Sequence, residues 1–494
     1  MGVTLRVCPQ GHAQNKNILI YTYLCILVEC HFGLKAFILY LTFIVLSLPN
    51  YAEVGGYYHV YNIYITGNRI TREKVILQEL NIRCNDSLPK REIKTHLQKA
   101  RNRIYNLDLF NEVKVTYQKC TADTNYIIID VKVTERWYIW PVPVFELRDR
   151  NLNIWWQHKS LKRVTYGITG GVENFRGRNE TVGISLTDGY AKAAILFYDI
   201  PNLSYKHRIG LNFLSSYSER KEVVFSTQEG REQFFRQKTQ ASRFYRGIRF
   251  DASKRITLLR KIDAYIHYRN FSVSDSVRML NSDYLLGKAH LQYLKIGVRY
   301  TDNHVDIVEY PLKGYYYTIE ATDVGIASKQ FHSVKVKLNY QLYGKLWGRR
   351  HYWKYEGLCS GITGYRLPFE EYIFMGYDHV IRGNEYYVQQ GHAHILQSIE
   401  YRYVLVQRRV YPMSWMPIRQ FRDLPFAMYL TTFYDTGYTY SRIFLNNPMN
   451  NRWLYGYGVG LNILAPYGTV LKIDRSWNQY NESAWFVSVK INFR

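Results

Sequence analysis

The sequence predicts a membrane β-barrel of about 16 antiparallel strands, preceded by one small α/β module of order β-α-α-β-β. Three observations carry this. From about residue 155 to residue 494, apolar and polar residues alternate with period two, as strands do when one face meets lipid and the other water. Residues 57–136 instead mix such strands with stripes at helical spacing. The 47 tyrosines and 10 tryptophans, against 13 prolines, suit strands and the water-facing edges of a bilayer. A mean hydropathy of −0.30 excludes a bundle of membrane-spanning helices. It leaves room for a barrel, which needs no long apolar run.

The chain opens with its one long apolar stretch, NILIYTYLCILVECHFGLKAFILYLTFIVLSLPNYA (17–52), divided by Glu29, His31 and Lys35. Each run is short for a bilayer span. The second, Phe37 to Leu48, follows Lys35 and ends near the small residues Ser47 and Ala52, the order of a secretory signal. Residues 1–52 are therefore expected to be a leader, cleaved between about residues 48 and 54. An uncleaved anchor is the alternative.

In the module, YYHVYNIYIT alternates and closes on Gly67 and Asn68, a strand and its turn. Thr71 is placed to cap a short helix, REKVILQEL. Ser87 and Pro89 open a longer helix, along which Ile93, Leu97, Ala100, Ile104 and Leu107 form an apolar stripe. That stripe reads as core. FNEVKVTYQK and NYIIIDVKVTE follow as two strands joined by CTADT.

In the barrel region, VKVKLNYQLYG (334–344) sets Val334, Val336, Leu338, Tyr340 and Leu342 against Lys335, Lys337, Asn339 and Gln341. TVGISLT (181–187), KIDAYIHYR (261–269) and WFVSVKINF (485–493) alternate likewise, with turns rich in Gly, Asn and Asp between them. A soluble sandwich also alternates, so repetition to the last strand decides for a closed membrane barrel.

The net charge of +25 invites a nucleic-acid reading, but Lys and Arg are scattered through strands and turns. That pattern suits a barrel lumen and rims beside phosphorylated headgroups, so membrane lipid is the expected partner and nucleic acid is not. Cys8, Cys25 and Cys30 fall in the leader, and Cys84, Cys120 and Cys359 lack zinc-site spacing. Cys84 and Cys120 either pair or remain two thiols. His392 and His394 stand at strand spacing without a third ligand nearby, so no metal is expected. GYGVGLN (456–462) has no following helix and is not a dinucleotide fingerprint. No cofactor is implied. No nucleophile or paired-carboxylate arrangement emerges from spacing, so the expectation is a protein that is not an enzyme.

One segment breaks the alternation: GYDHVIRGNEYYVQQGHA (376–393). Alone, its Ile381-Arg382-Gly383-Asn384 run is a polar loop in which Gly383 and Asn384 supply positive φ. Its surroundings say more. ENFRGRNETVGISL (173–186), IRGNE (381–385), SIEYRYVL (398–405), LTTFYDTGY (430–438) and YGYGVGLNILAPYGTVLKIDRSW (455–477) occur in an order that resembles the BamA/TamA-type outer-membrane assembly and secretion family. With ARNRIYNLDLFNEVKVTY, residues 57–136 resemble a POTRA domain.

The resemblance implies a 16-stranded barrel over 155–494, an outer-membrane location and a POTRA in the periplasm. It implies that the arginine loop folds into the lumen and that Arg382 pairs with Asp435. An arginine in a partly dehydrated barrel needs a planar acceptor, and Glu400 is a second one. Ile381 and Asn384 depart from the commoner Val and aromatic at these positions, so the loop tip is expected to sit differently. POTRA domains hold extended polypeptide at a free strand edge, here expected at 112–119, with a spacer role as the alternative.

The expected function is nucleotide-independent insertion of unfolded outer-membrane client polypeptides, with accessory lipoproteins or membrane subunits as further partners. A dedicated secretion pore is the alternative within the family, and a passive porin outside it. The expected barrel seam joins the glycines Gly167, Gly170 and Gly171 of a first strand (163–175) to the last strand's Trp485, Val487, Val489, Ile491 and Phe493. Few cross-strand contacts from the glycines would make it weak.

Overall fold

The computed structural model describes residues 56–147, 164–377, 379–413, 415, 423–443, 446–465 and 468–490. The expected leader, Ile491 and Phe493 lie outside them. Among the described residues, no helix is long and apolar enough to cross a membrane.

The N-terminal module contains β1 (Tyr57–Thr66), α1 (Glu73–Leu80), β2 (Ser87–Pro89), α2 (Ile93–Tyr105), β3 (Phe110–Lys119) and β4 (Tyr126–Glu135). Its sheet runs β2-β1-β4-β3, with β1 parallel to β4 and the other pairs antiparallel. The predicted stripe does form the core: Ile93, Leu97, Ala100, Ile104 and Leu107 are buried with Val60, Ile127, Ile129, Val131 and Val133 of the sheet. Each large side chain so buried stabilises the module by about 1.5–3 kcal/mol.

Two details differ from the sequence reading. Ser87–Pro89 is a short edge strand paired with β1, so the order gains a strand and the helix begins only at Ile93. An edge strand tolerates Pro89, which has no N–H to donate. Thr71 does not cap α1: Arg72 holds that position, and the Thr71 hydroxyl donates to Glu135 at 2.6 Å.

The barrel sheet opens as a meander of β5 (Ile139–Leu147), β6 (Val164–Phe175), β7 (Glu180–Gly189), β8 (Ala191–Ser204) and β9 (Ile209–Arg220). A separate hairpin, β10 (Glu222–Gln228) and β11 (Arg231–Arg236), follows. The sheet resumes with β12 (Arg243–Arg255), β13 (Arg260–Val273), β14 (His290–Asn303), β15 (Gly314–Ile326), β16 (Ser333–Lys345) and β17 (His351–Ile362). Helix α3 (Asp275–Leu280) lies between β13 and β14, and the long connection after β17 carries a small hairpin, β18 (Ile373–Met375) and β19 (Gln389–Gly391). β20 (Ala393–Pro412), β21 (Asp423–Tyr440), β22 (Trp453–Leu464), β23 (Val470–Asn478) and β24 (Ser483–Lys490) complete a 16-stranded sheet from β5 to β24. Val334 and Val336 on β16 are exposed, whereas Lys335 and Lys337, which alternate with them, are half-buried toward the lumen.

The sheet begins earlier than the expected residue 155, at β5 in the sequence IWPVPVFEL. Its two prolines hide it from sequence reading, because proline argues against a strand. Pairing with β6 nevertheless runs unbroken from Ile139↔Val172 to Leu147↔Val164, through Pro141↔Gly170 and Pro143↔Ile168. Backbone N–H groups alternate in direction along a strand, and continuous pairing requires donors toward β6. Pro141 and Pro143 therefore turn their donor-less nitrogens to the opposite, free edge. Among the described residues, that edge shares no ladder with β24.

Connections enter the interior from both ends. At the end remote from the module, β10, the loops around α3 and residues 367–373 share a core that includes Val223, Val277, Tyr284, Leu285, Leu367 and Phe369. At the module's end, the β14–β15 connection (304–313) inserts Tyr310 against Val404, Ala427, Tyr429, Leu464 and Val470.

Candidate functional site in the barrel lumen

The loop between β18 and β19 descends onto β20, β21 and β22. Register sets Ser398 opposite Asp435 and Glu400 opposite Phe433, so alternation turns all four side chains to the same, inner face. Arg382 docks on this platform. Its Nε and Nη2 donate to the two Asp435 carboxylate oxygens at 2.7 and 2.8 Å, the fork geometry that carboxylates accept. Nη1 donates to Glu400 at 3.0 Å, Nη2 to Ser398 Oγ at 3.0 Å, and the backbone N–H to Asp435 at 3.1 Å. The guanidinium also lies 3.6 Å from the centre of the Phe433 ring. Every charge here is buried and paired, so removing one partner strands the others at a cost of about 3–5 kcal/mol.

The neighbours explain the motif's other residues. Ile381 is buried with Leu358, Met375, Leu396 and Leu454. Gly383 adopts φ +96°, and a Cβ there would lie 2.6 Å from the Trp477 carbonyl oxygen. Asn384 does not share the positive φ that the sequence suggested. It is buried and donates to the Tyr455 carbonyl at 3.0 Å, a role open to an amide but not to a phenylalanine ring. The glycines of GYGVGLN make room: a Cβ on Gly456 would lie 1.8 Å from the Arg382 carbonyl oxygen, and one on Gly460 would lie 2.0 Å from Asp474 Oδ1.

Glu400 leads to a second set of contacts that sequence reasoning missed. Its other oxygen accepts from Arg402 Nε at 2.7 Å, and Arg402 Nη1 donates to the Pro311 carbonyl at 2.7 Å. Arg402 lies 4.3 Å from the Tyr310 ring centre, and Tyr310 stacks on Tyr429 at 4.4 Å. Next to it, Glu309 pairs with Arg408 at 2.7 Å, and Arg408 also donates to the hydroxyl of Tyr105, on α2 of the module. Burial, and then the Glu309 carboxylate, push the Tyr105 phenol up to about 12. The available signal was VDIVEYPLKG (305–314), a connection too apolar and aromatic for an ordinary solvated turn.

Comparison with known proteins bears on this arrangement. Residues 58–136 match the POTRA family model, described as a surface antigen variable number repeat, and residues 174–482 match the Omp85 superfamily domain. The chain belongs to the Omp85 superfamily. Among solved structures it is similar to BamA from Haemophilus ducreyi lacking POTRA domains 1–3, with TM-score 0.50, 13% identity and coverage of 88% of this chain and 84% of that one. CdiB from Escherichia coli is similar with TM-score 0.52, 12% identity and coverage of 87% and 75%. At such identities these two show a shared fold. No curated protein matches the sequence.

In this Omp85 barrel the glycine strand is not at the seam. Gly167, Gly170 and Gly171 lie on β6, the second strand, paired with Val144, Pro141 and Trp140 of β5 on one side and with β7 on the other. The reading that made 163–175 the first strand is corrected by the proline-bearing β5 outside it. On β24, Trp485, Val487 and Val489 are exposed, while Phe486 turns inward to Tyr386 of the infolded loop, 5.6 Å between ring centres.

In the POTRA module β3 is an edge strand, since only β4 pairs with it among the described residues. A groove of about 430 Å³ runs beside it, lined by Lys94, Leu97, Gln98 and Arg101 of α2 and by 113–117. Cys84, Cys120 and Cys359 are free thiols. His392 meets Tyr372 and His394 meets His379 edge to face.

Proposed function

We propose that this outer-membrane Omp85 protein inserts other β-barrel chains into the outer membrane without nucleotide. Its POTRA module, in the periplasm, pairs extended client polypeptide along the edge of β3, and the barrel receives the client sideways between β5 and β24. The observation that carries this reading is the contrast between the lumen and the seam. The lumen is occupied by the Arg382 loop and by the Tyr310 connection, whereas the terminal strands share no ladder among the described residues. Lipid offers no hydrogen bonds, so a client strand is the partner that would satisfy unpaired strand edges there. A lumen obstructed by these two connections also disfavours a passive porin. Export of a single partner through the lumen would require both infolded connections to leave.

The test is a lock. With Cys84, Cys120 and Cys359 replaced, single cysteines are scanned along 139–145 and 484–489 until a pair oxidises efficiently. Oxidation should stop client insertion and reductant should restore it. A locked barrel that inserts clients at the full rate would sink lateral entry. Depletion followed by whole outer-membrane proteomics separates the family's two activities: broad loss of barrels supports insertion, and loss of one secreted protein supports export.

A further inference from the structure

Above the Arg382 site, beneath the cap remote from the POTRA module, lies a cavity of about 410 Å³ that the insertion reading leaves unused. Four cations line it, Arg220, Arg243, Lys335 and Lys337, against the single carboxylate of Glu370. That carboxylate is already engaged by Arg243 at 3.2 Å. Lys335 makes no hydrogen bond or ion pair among the described residues, although it is half-buried. Lys337 Nζ lies 3.1 Å from His379 Nε2. His394, on the wall of the same cavity, is only 5% exposed, and among the described residues neither of its ring nitrogens has a hydrogen-bond partner.

A buried imidazole without a partner forfeits about 1–3 kcal/mol per unsatisfied group, and Lys335 and Lys337, neighbours on one face of β16, repel one another. One occupant relieves both costs: an anion with several acceptor oxygens. A carboxylate offers two oxygens in one plane. A phosphate offers a tetrahedral set, which better suits donors arriving from the separate strands β16 and β20, and lysine is an effective point-charge partner for it. We propose that this cavity is a binding site for a phosphate-class anion, held by Lys335 and Lys337 and by an N–H of His394.

The experiment uses the full chain, folded in a maltoside detergent that carries no phosphate. Inorganic phosphate and pyrophosphate are the probes, followed by ³¹P line broadening and by the melting temperature. Wild type should broaden the signal and melt higher with either probe, and acetate should do neither. K335M and H394F should each weaken binding about tenfold or more, the loss of one charge-assisted contact. K345M, which removes an exposed lysine from the far end of the same strand, should bind as wild type does. K335R should retain most of the affinity, which separates lost charge from lost folding.

Mixed micelles doped with phosphatidic acid distinguish the source. Protection by the lipid but not by free phosphate assigns the site to a headgroup, and binding of the soluble probes assigns it to free phosphate. Absence of any response to all three in folded wild type, or equal weakening in K345M, overturns the proposal.

Discussion

At the scale of single residues, Arg382 concentrates the barrel's internal electrostatics, because it holds two carboxylates, a hydroxyl and a ring at once. Arg382→Ala and Asp435→Ala should therefore impair client insertion to similar degrees, and the double variant should be little worse than either. Additive losses in this cycle would show that the two residues act independently. Exchange of the two residues should restore little, since a bidentate fork is not symmetric under reversal. The Arg382–Asp435 contact is legible in the sequence only through the family resemblance, which implies the pair, while the need of a dehydrated arginine for a planar acceptor agrees with it. Arg402, Ser398 and Tyr310 are not legible. A polar residue on a lumen-facing strand position reads the same whether it meets water or a folded loop.

Among the elements, β5 is the most informative, and its prolines are both why the sequence conceals it and what defines its edge. Pro141→Val with Pro143→Val should return two N–H donors to the free side of the strand. A ladder with β24 then becomes possible, so the double variant should show slower amide exchange across 484–489 and slower client insertion. Unchanged exchange would mean that the prolines do not limit pairing at the seam. The POTRA elements were easier to read. Apolar stripes at helical and strand spacing are burial signals that survive any context, whereas the three-residue β2 has no periodicity to show and exists only through β1 beside it.

On the scale of the whole molecule, contacts run from Tyr105 in the POTRA through Glu309 and Arg408. Beside them, Tyr310 and Arg402 continue to Glu400 and Arg382. Period two reveals the wall that surrounds this path. It says nothing of the path itself, which depends on side chains meeting from connections at opposite ends. The Arg382 loop also imposes an order in time. It precedes β20 to β24 in the chain, yet its seat is built from β20, β21 and β22, with Asn478 of β23 donating to the Gly383 carbonyl at 3.0 Å. The loop therefore has nowhere to settle until the strands that follow it have paired, which makes its docking a closing step of this protein's own folding. A contact absent from the folding transition state speeds unfolding when removed and leaves the folding rate nearly untouched. Arg382→Ala should behave in that way when refolding into detergent is timed, and a refolding rate slowed in proportion to the lost stability would place the docking early instead.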